Sequence, residues 1–176
     1  MVNLFLFLCG VVCFQDEAPV ITWEASKPLQ WEDFKGIPDA HDDAAALTVS
    51  GITFRFIITE TDAHEVVKFS TEVFAYFYPE ESWYKKNQGN THILEHEQLH
   101  FDITALYARK FRYRISQLKV SNGVKRQLKK IHKDINTELA QMQIKYDIET
   151  DYSRNFQLQA KWKSYIEAEL LKYAEY

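Results

Sequence analysis

All four prolines, Pro19, Pro28, Pro38 and Pro79, and four of the five glycines lie at or before residue 89; beyond it only Gly123 remains. Proline removes a helix donor and glycine weakens a helix through backbone entropy. The chain is therefore punctuated in its first half and free to run in long helices in its second. From Leu47 to Thr59 the apolar residues alternate as in a strand, with a slip at Ser50-Gly51 where a bulge or bend would fit. Glu65 to Tyr78 alternates as well, so the two segments predict an antiparallel hairpin across Thr61-Asp62-Ala63-His64. Val20 to Glu24 and Leu29 to Phe34 are shorter candidate strands. Beyond residue 90 the period changes to that of a helix over Thr91 to about Leu118, Asn122 to about Tyr146, and Asn155 to Tyr176. The expectation is one α+β domain, a small antiparallel sheet packed on about three long helices.

Charge narrows the partners. With 21 basic and 25 acidic residues the net charge is -4, which gives no basic excess for binding phosphates and argues against a nucleic acid partner. Lys125, Arg126, Lys129, Lys130 and Lys133 form a basic run, read as the solvated face of the second helix. Phe74, Tyr76, Phe77, Tyr78 and Trp83 are read as packing between sheet and helices rather than as the lining of a cleft.

Residues Leu4 to Phe14 carry no charge, and Gln15, Asp16 and Glu17 then turn the chain polar. The run is shorter than the roughly twenty apolar residues of a membrane span and suits the apolar core of a secretory signal. A signal peptide over residues 1–15, a single domain over 16–176 and a periplasmic or secreted location are the expectations, although no Lys or Arg precedes the run. Cys9 and Cys13, the only two cysteines, would leave with such a signal.

One constellation carries chemistry. His96-Glu97-Gln98-Leu99-His100 is an H-E-x-x-H sequence inside an apolar-periodic helix. Residues four apart share a helix face, so both imidazoles can reach one metal at about 2.0–2.1 Å. Glu97, about 100° further round, can hold its carboxylate beside a water that such a metal activates. This composition would yield the pattern by chance about 0.02 times per chain, so chance is a weak explanation. A hydrolytic zinc site needs a third protein ligand, and Asp147 and Glu149, in the acidic stretch after the second helix, are the candidates. His92 is read as a surface residue at the helix cap, and His41, His64 and His132 as surface residues in loops or charged surroundings.

The string Leu94 to Ile103 (LEHEQLHFDI) followed by Ala108-Arg109 resembles a bacterial family first catalogued as a domain of unknown function and described as secreted zinc-dependent proteases. The resemblance continues in Leu29 to Gly36, Ala45 to Ile52, Ser82-Trp83, and Tyr146 through Trp162. It implies a zincin-like domain in which His96 and His100 hold a zinc ion and Glu97 is the catalytic acid and base. The chain departs from the family at Leu99, where Gly is usual, and at Tyr152, where His is usual. Asp147 is the favoured third ligand, with Glu149 or Tyr152 as substitutes, and Tyr152 is otherwise a polar group able to stabilise an oxyanion. Together these features lead to an expected exported zinc metallopeptidase with a peptide or protein substrate and no stable membrane span. The alternative is a noncatalytic envelope binding protein that keeps the scaffold.

Overall fold

The computed structural model describes residues 18–176; Cys9, Cys13 and the apolar segment read as an export signal lie outside the described residues. Strand β1 (Ile21–Thr22) pairs with β4 (Val66–Phe77), which pairs along its whole length with β3 (Ser50–Glu60), all antiparallel. A second ribbon joins β2 (Ala46–Leu47) to β5 (Trp83–Tyr84). Helices α1 (Thr91–Ser116), α2 (Val124–Glu149) and α3 (Phe156–Lys172) follow. The α+β arrangement expected from the sequence is the one observed.

The hairpin turns where the alternation stops. Thr61 N donates to Glu65 O at 2.9 Å, and His64 takes a positive φ of 60° to close the turn. The expected bulge at Ser50-Gly51 is not there. Ser50 and Gly51 pair in register with Phe77 and Tyr76, and the irregularity falls at Thr59/Glu60. The slip in the alternation instead marks Thr48-Val49, where the chain leaves the short ribbon and enters the larger sheet. The candidate strand over Leu29 to Phe34 is also corrected: Trp31–Asp33 is one turn of 3-10 helix. Gln30 N donates to Asp33 Oδ2 at 2.8 Å, closing the turn locally, while Trp31 stacks on Tyr84 at 4.3 Å. Gly36 then passes so close to the backbone at Glu80–Ser82 that a Cβ would lie 2.9 Å from Ser82 O.

Helix α1 is buried on most of its circumference, the pattern of a helix covered on both sides. Val73, Ala75 and Phe77 of β4 are buried in the same core as Leu106, Phe111 and Ile115 of α1. Leu128, Ile135 and Tyr146 of α2 and Trp162 and Ile166 of α3 complete that core. The aromatic run divides by strand alternation: Phe77 and Trp83 are buried, whereas Phe74 and Tyr76 stack on each other at 5.7 Å on the other face. His132 is corrected from surface to half-buried, since its ring lies 5.3 Å from Phe54 and 5.7 Å from Phe111. The lysines and arginines around it on α2 are exposed, as expected. Phe111, fully buried among these rings, makes the packing testable: Phe111→Ala should cost about 3–5 kcal/mol in urea unfolding, and a loss under 1 kcal/mol would show that this core is loose.

Polar ties lock α1 to the amino-terminal half. Trp23 Nε1 donates to Asp102 Oδ1 at 2.7 Å, Gln98 Nε2 donates to the same oxygen at 2.8 Å, and Leu29 N donates to Gln98 Oε1 at 2.6 Å. Arg109 donates to Leu170 O at 2.6 Å with its guanidinium 5.2 Å from the Trp23 ring. Gln98, Asp102 and Arg109 thus hold the helix in place from the sides.

Candidate metal centre

Asn90 starts α1 by accepting from Ile93 N at 3.0 Å, which satisfies one of the unpaired donors of the first turn. Two turns in, His96 and His100 project one above the other, their rings nearly perpendicular at 82°. Helix α2 runs back alongside, so its last turns lie beside the first half of α1. Tyr146 stacks on His96 at 4.5 Å, and Gln143 meets His100. Between them Asp147 turns its carboxylate to both histidines.

Asp147 Oδ1 lies 3.2 Å from His96 Nε2 and 3.0 Å from His100 Nε2, and the two Nε2 atoms are 3.2 Å apart. Ligands held tetrahedrally at about 2.0–2.1 Å from an ion would be roughly 3.3–3.4 Å from one another. The triangle is therefore close to one face of such a tetrahedron, and the group could hold a metal ion. The donor set is two imidazoles and one carboxylate, which suits zinc.

Hydrogen bonding fixes the proton of His100. Gln143 Nε2 donates to His100 O at 2.9 Å and to Thr104 Oγ1 at 3.2 Å, which fixes the amide so that Oε1 is an acceptor. His100 Nδ1, 2.6 Å from that oxygen, must then carry the proton. In the neutral ring the Nε2 lone pair points at Asp147, and lone pair and carboxylate repel unless a cation lies between them. Without a metal a proton does so. Burial alone would lower the His100 pKa, but the hydrogen bond to Asp147 and the charges of Glu97 and Asp147 outweigh it, and the value is raised above 6.5. Burial acts on Asp147 in the opposite sense, yet the hydrogen bonds from His100 and His96 hold it below 3.8.

A pH dependence follows for the metal-free chain. The Asp147 contribution is present above about 3.8 and is lost as pH falls through the lowered value; the His100 contribution is present below 6.5 and is lost as pH rises through the raised one. With chelator present, the melting difference between wild type and Asp147→Asn should be largest between pH 3.8 and 6.5. A difference that stays constant into alkaline solution would contradict the coupling. Protons and a metal ion would compete for the same lone pairs, so the affinity for such an ion should rise with pH.

The remaining sequence candidates separate clearly. Glu97 is 5 % exposed, and no hydrogen bond from a described residue engages its carboxylate. Its charge helps to raise both His100 and the Tyr146 hydroxyl, the latter chiefly raised by burial, so that Tyr146 stays a phenol. Thr48 Oγ1 holds the Glu97 backbone oxygen at 3.3 Å. Glu149 turns away and accepts from Trp162 Nε1 at 2.9 Å. Tyr152 is 61 % exposed, with its ring 6.0 Å from the Arg154 guanidinium. Leu99 is buried in the core.

Asp151, Tyr152 and Ser153 all have positive φ, at 50°, 51° and 69°, a conformation that costs non-glycine residues roughly 1–2 kcal/mol each. The surroundings hold the turn: Tyr152 N donates to Asp147 O at 2.9 Å, and His92 Nε2 donates to Ser153 O at 2.6 Å. His92, expected at the surface, is instead half-buried and stacked on Phe156 at 3.7 Å. Gln143 was missed as well; its only signal in the sequence is its place one turn before Asp147.

Residues 79–155 match the model of a family described as "Bacterial protein of unknown function (DUF922)". The matched segment is less than half of the chain, yet it spans α1, α2 and every residue of the triangle. No curated protein matches the chain, and no solved structure matches it.

Proposed function

We propose that the chain is an exported zinc-dependent hydrolase acting on peptide bonds. The observation that carries this reading is the convergence of His96 Nε2, His100 Nε2 and Asp147 Oδ1, with Glu97, a residue 5 % exposed, close enough for its charge to act on His100. These three atoms would hold the zinc ion, which when bound supplies a Lewis acid that polarises a carbonyl and lowers the pKa of water.

The chain's own residues then have defined tasks. Glu97 accepts a proton from the attacking water and passes it to the departing amine, so that one water is consumed and one acid and one amine leave. Gln143 keeps the proton of His100 on Nδ1 and leaves Nε2 free to ligate. Asp147 brings the one negative charge that two neutral imidazoles lack. Tyr152, exposed on the turn after α2, enters as a phenol donor toward the developing oxyanion.

A second reading, a noncatalytic metal-holding module, draws on the same Tyr152, which is largely exposed. The uncharged segment from Leu4 to Phe14 supports export, and no helix among the described residues is long and apolar enough to cross a membrane. Metal analysis of the purified chain should find one zinc per molecule, with cleavage of a mixed peptide pool that stops on chelation and returns with added zinc. Absence of bound zinc would overturn the hydrolase; zinc without any cleavage would favour the module.

A further inference from the structure

The two histidines of the triangle are unequally supported. His100 donates its Nδ1 proton to Gln143, whereas His96, 4 % exposed, has a buried Nδ1 with no partner among the described residues. A histidine that ligates through Nε2 carries its proton on Nδ1, and in metal sites that proton is almost always given to an acceptor. A buried donor left unpaired costs about 1–3 kcal/mol.

One other buried side-chain atom among the described residues lacks a partner, and it is an acceptor: Oε1 of Gln159 on α3, a residue 5 % exposed. Its assignment as oxygen follows from its surroundings. His92 Nε2 donates to Ser153 O, so His92 Nδ1 presents a lone pair, and the Gln159 nitrogen donates to that atom at 3.3 Å and to His92 O at 3.0 Å. The Gln159 amide is thus seated on α1 one helical turn before His96, with its nitrogen occupied and its oxygen free. Trp162, one turn further along α3, meets Tyr146 at 5.4 Å, and Tyr146 stacks on His96. Gln159 and His96 therefore share one packed cluster.

We propose that Gln159 is the positioning residue for His96. Its Oε1 accepts the Nδ1 proton of His96, across one shared water or by a small turn of the amide, and so holds Nε2 unprotonated toward the metal. A single link of this kind satisfies both unpaired atoms. It makes α3 part of the site: α2 supports one histidine through Gln143, and α3 supports the other through Gln159. The inference rests on the reading of His96 as a metal ligand.

The test compares Gln159→Met, which keeps the volume and removes the acceptor, with Gln159→Glu, which keeps an acceptor oxygen. Zinc affinity is measured by chelator competition, and the His96 Nδ1 proton by its exchange with water in proton–nitrogen NMR on the zinc-loaded chain. Gln159→Met should lower zinc affinity about 10–100-fold and make the His96 Nδ1 proton exchange faster; Gln159→Glu should restore most of both. Wild-type affinity and an unchanged exchange rate in Gln159→Met would overturn the proposal, as would equal losses in both variants. If the wild type binds no zinc, the metal reading itself falls; zinc bound equally by wild type and Gln159→Met overturns only the role of Gln159.

Discussion

Glu97→Gln should lower peptide hydrolysis about 10²–10⁴-fold while the zinc content stays at the wild-type level. The substitution keeps the shape of the side chain and removes its ability to take a proton. Glu97 stands outside the triangle of His96, His100 and Asp147, so losing its charge leaves the three donor atoms in place. The same charge helps to raise His100, and its removal should bring that imidazole closer to its ordinary value. Zinc would then compete with protons slightly better at mild acidity. Full activity in Glu97→Gln would show that another group handles the proton; loss of zinc along with activity would show that Glu97 belongs to the donor set.

His100→Ala has the other large expected effect: loss of stoichiometric zinc and of every stability increment that zinc confers. For the wild type, free zinc at a hundred times its dissociation constant would add about 2.7 kcal/mol, or roughly 5–11 °C of melting temperature for a chain of this size. The variant should show no such shift. It should also melt lower without metal, because Gln143 Oε1 loses its donor and Asp147 loses one of its two hydrogen bonds, a cost of about 1–3 kcal/mol. A zinc-dependent shift that survives in His100→Ala would place the metal elsewhere in the molecule.

The features that could be read from the sequence are those with a period or a rigid local rule. The three helices and the hairpin follow from apolar spacing, and His96, Glu97 and His100 from their offsets on one helix. Residue chemistry offers Asp147 and Glu149 alike, and only the fold separates them: Asp147 faces both histidines, whereas Glu149 accepts from Trp162. The errors share a cause: tertiary packing chose between local options that look alike in sequence. Leu29 to Phe34 has strand-like composition, but Asp33 can close a turn on Gln30, and Trp31 finds Tyr84. His132 lies among lysines, yet its own angle on α2 turns it to Phe54 and Phe111. Gln143 and Gln159 were invisible because an amide on a helix reads as solvated until its neighbours are known. His92 was misread for the same reason, since its partners lie about sixty residues away, at Ser153 and Gln159.

The donors of the triangle sit on two helices, with Asp147 fifty-one residues beyond His96. An ion shared between them would close a loop of that length, and the chain-entropy relation for cross-links gives about 4 kcal/mol for such a closure. The described residues contain no cysteine, so a shared ion would do for this domain what a disulfide does in others, as a staple formed only when α1 and α2 are already side by side. Unlike a disulfide it would open with acid or a chelator and be indifferent to thiols.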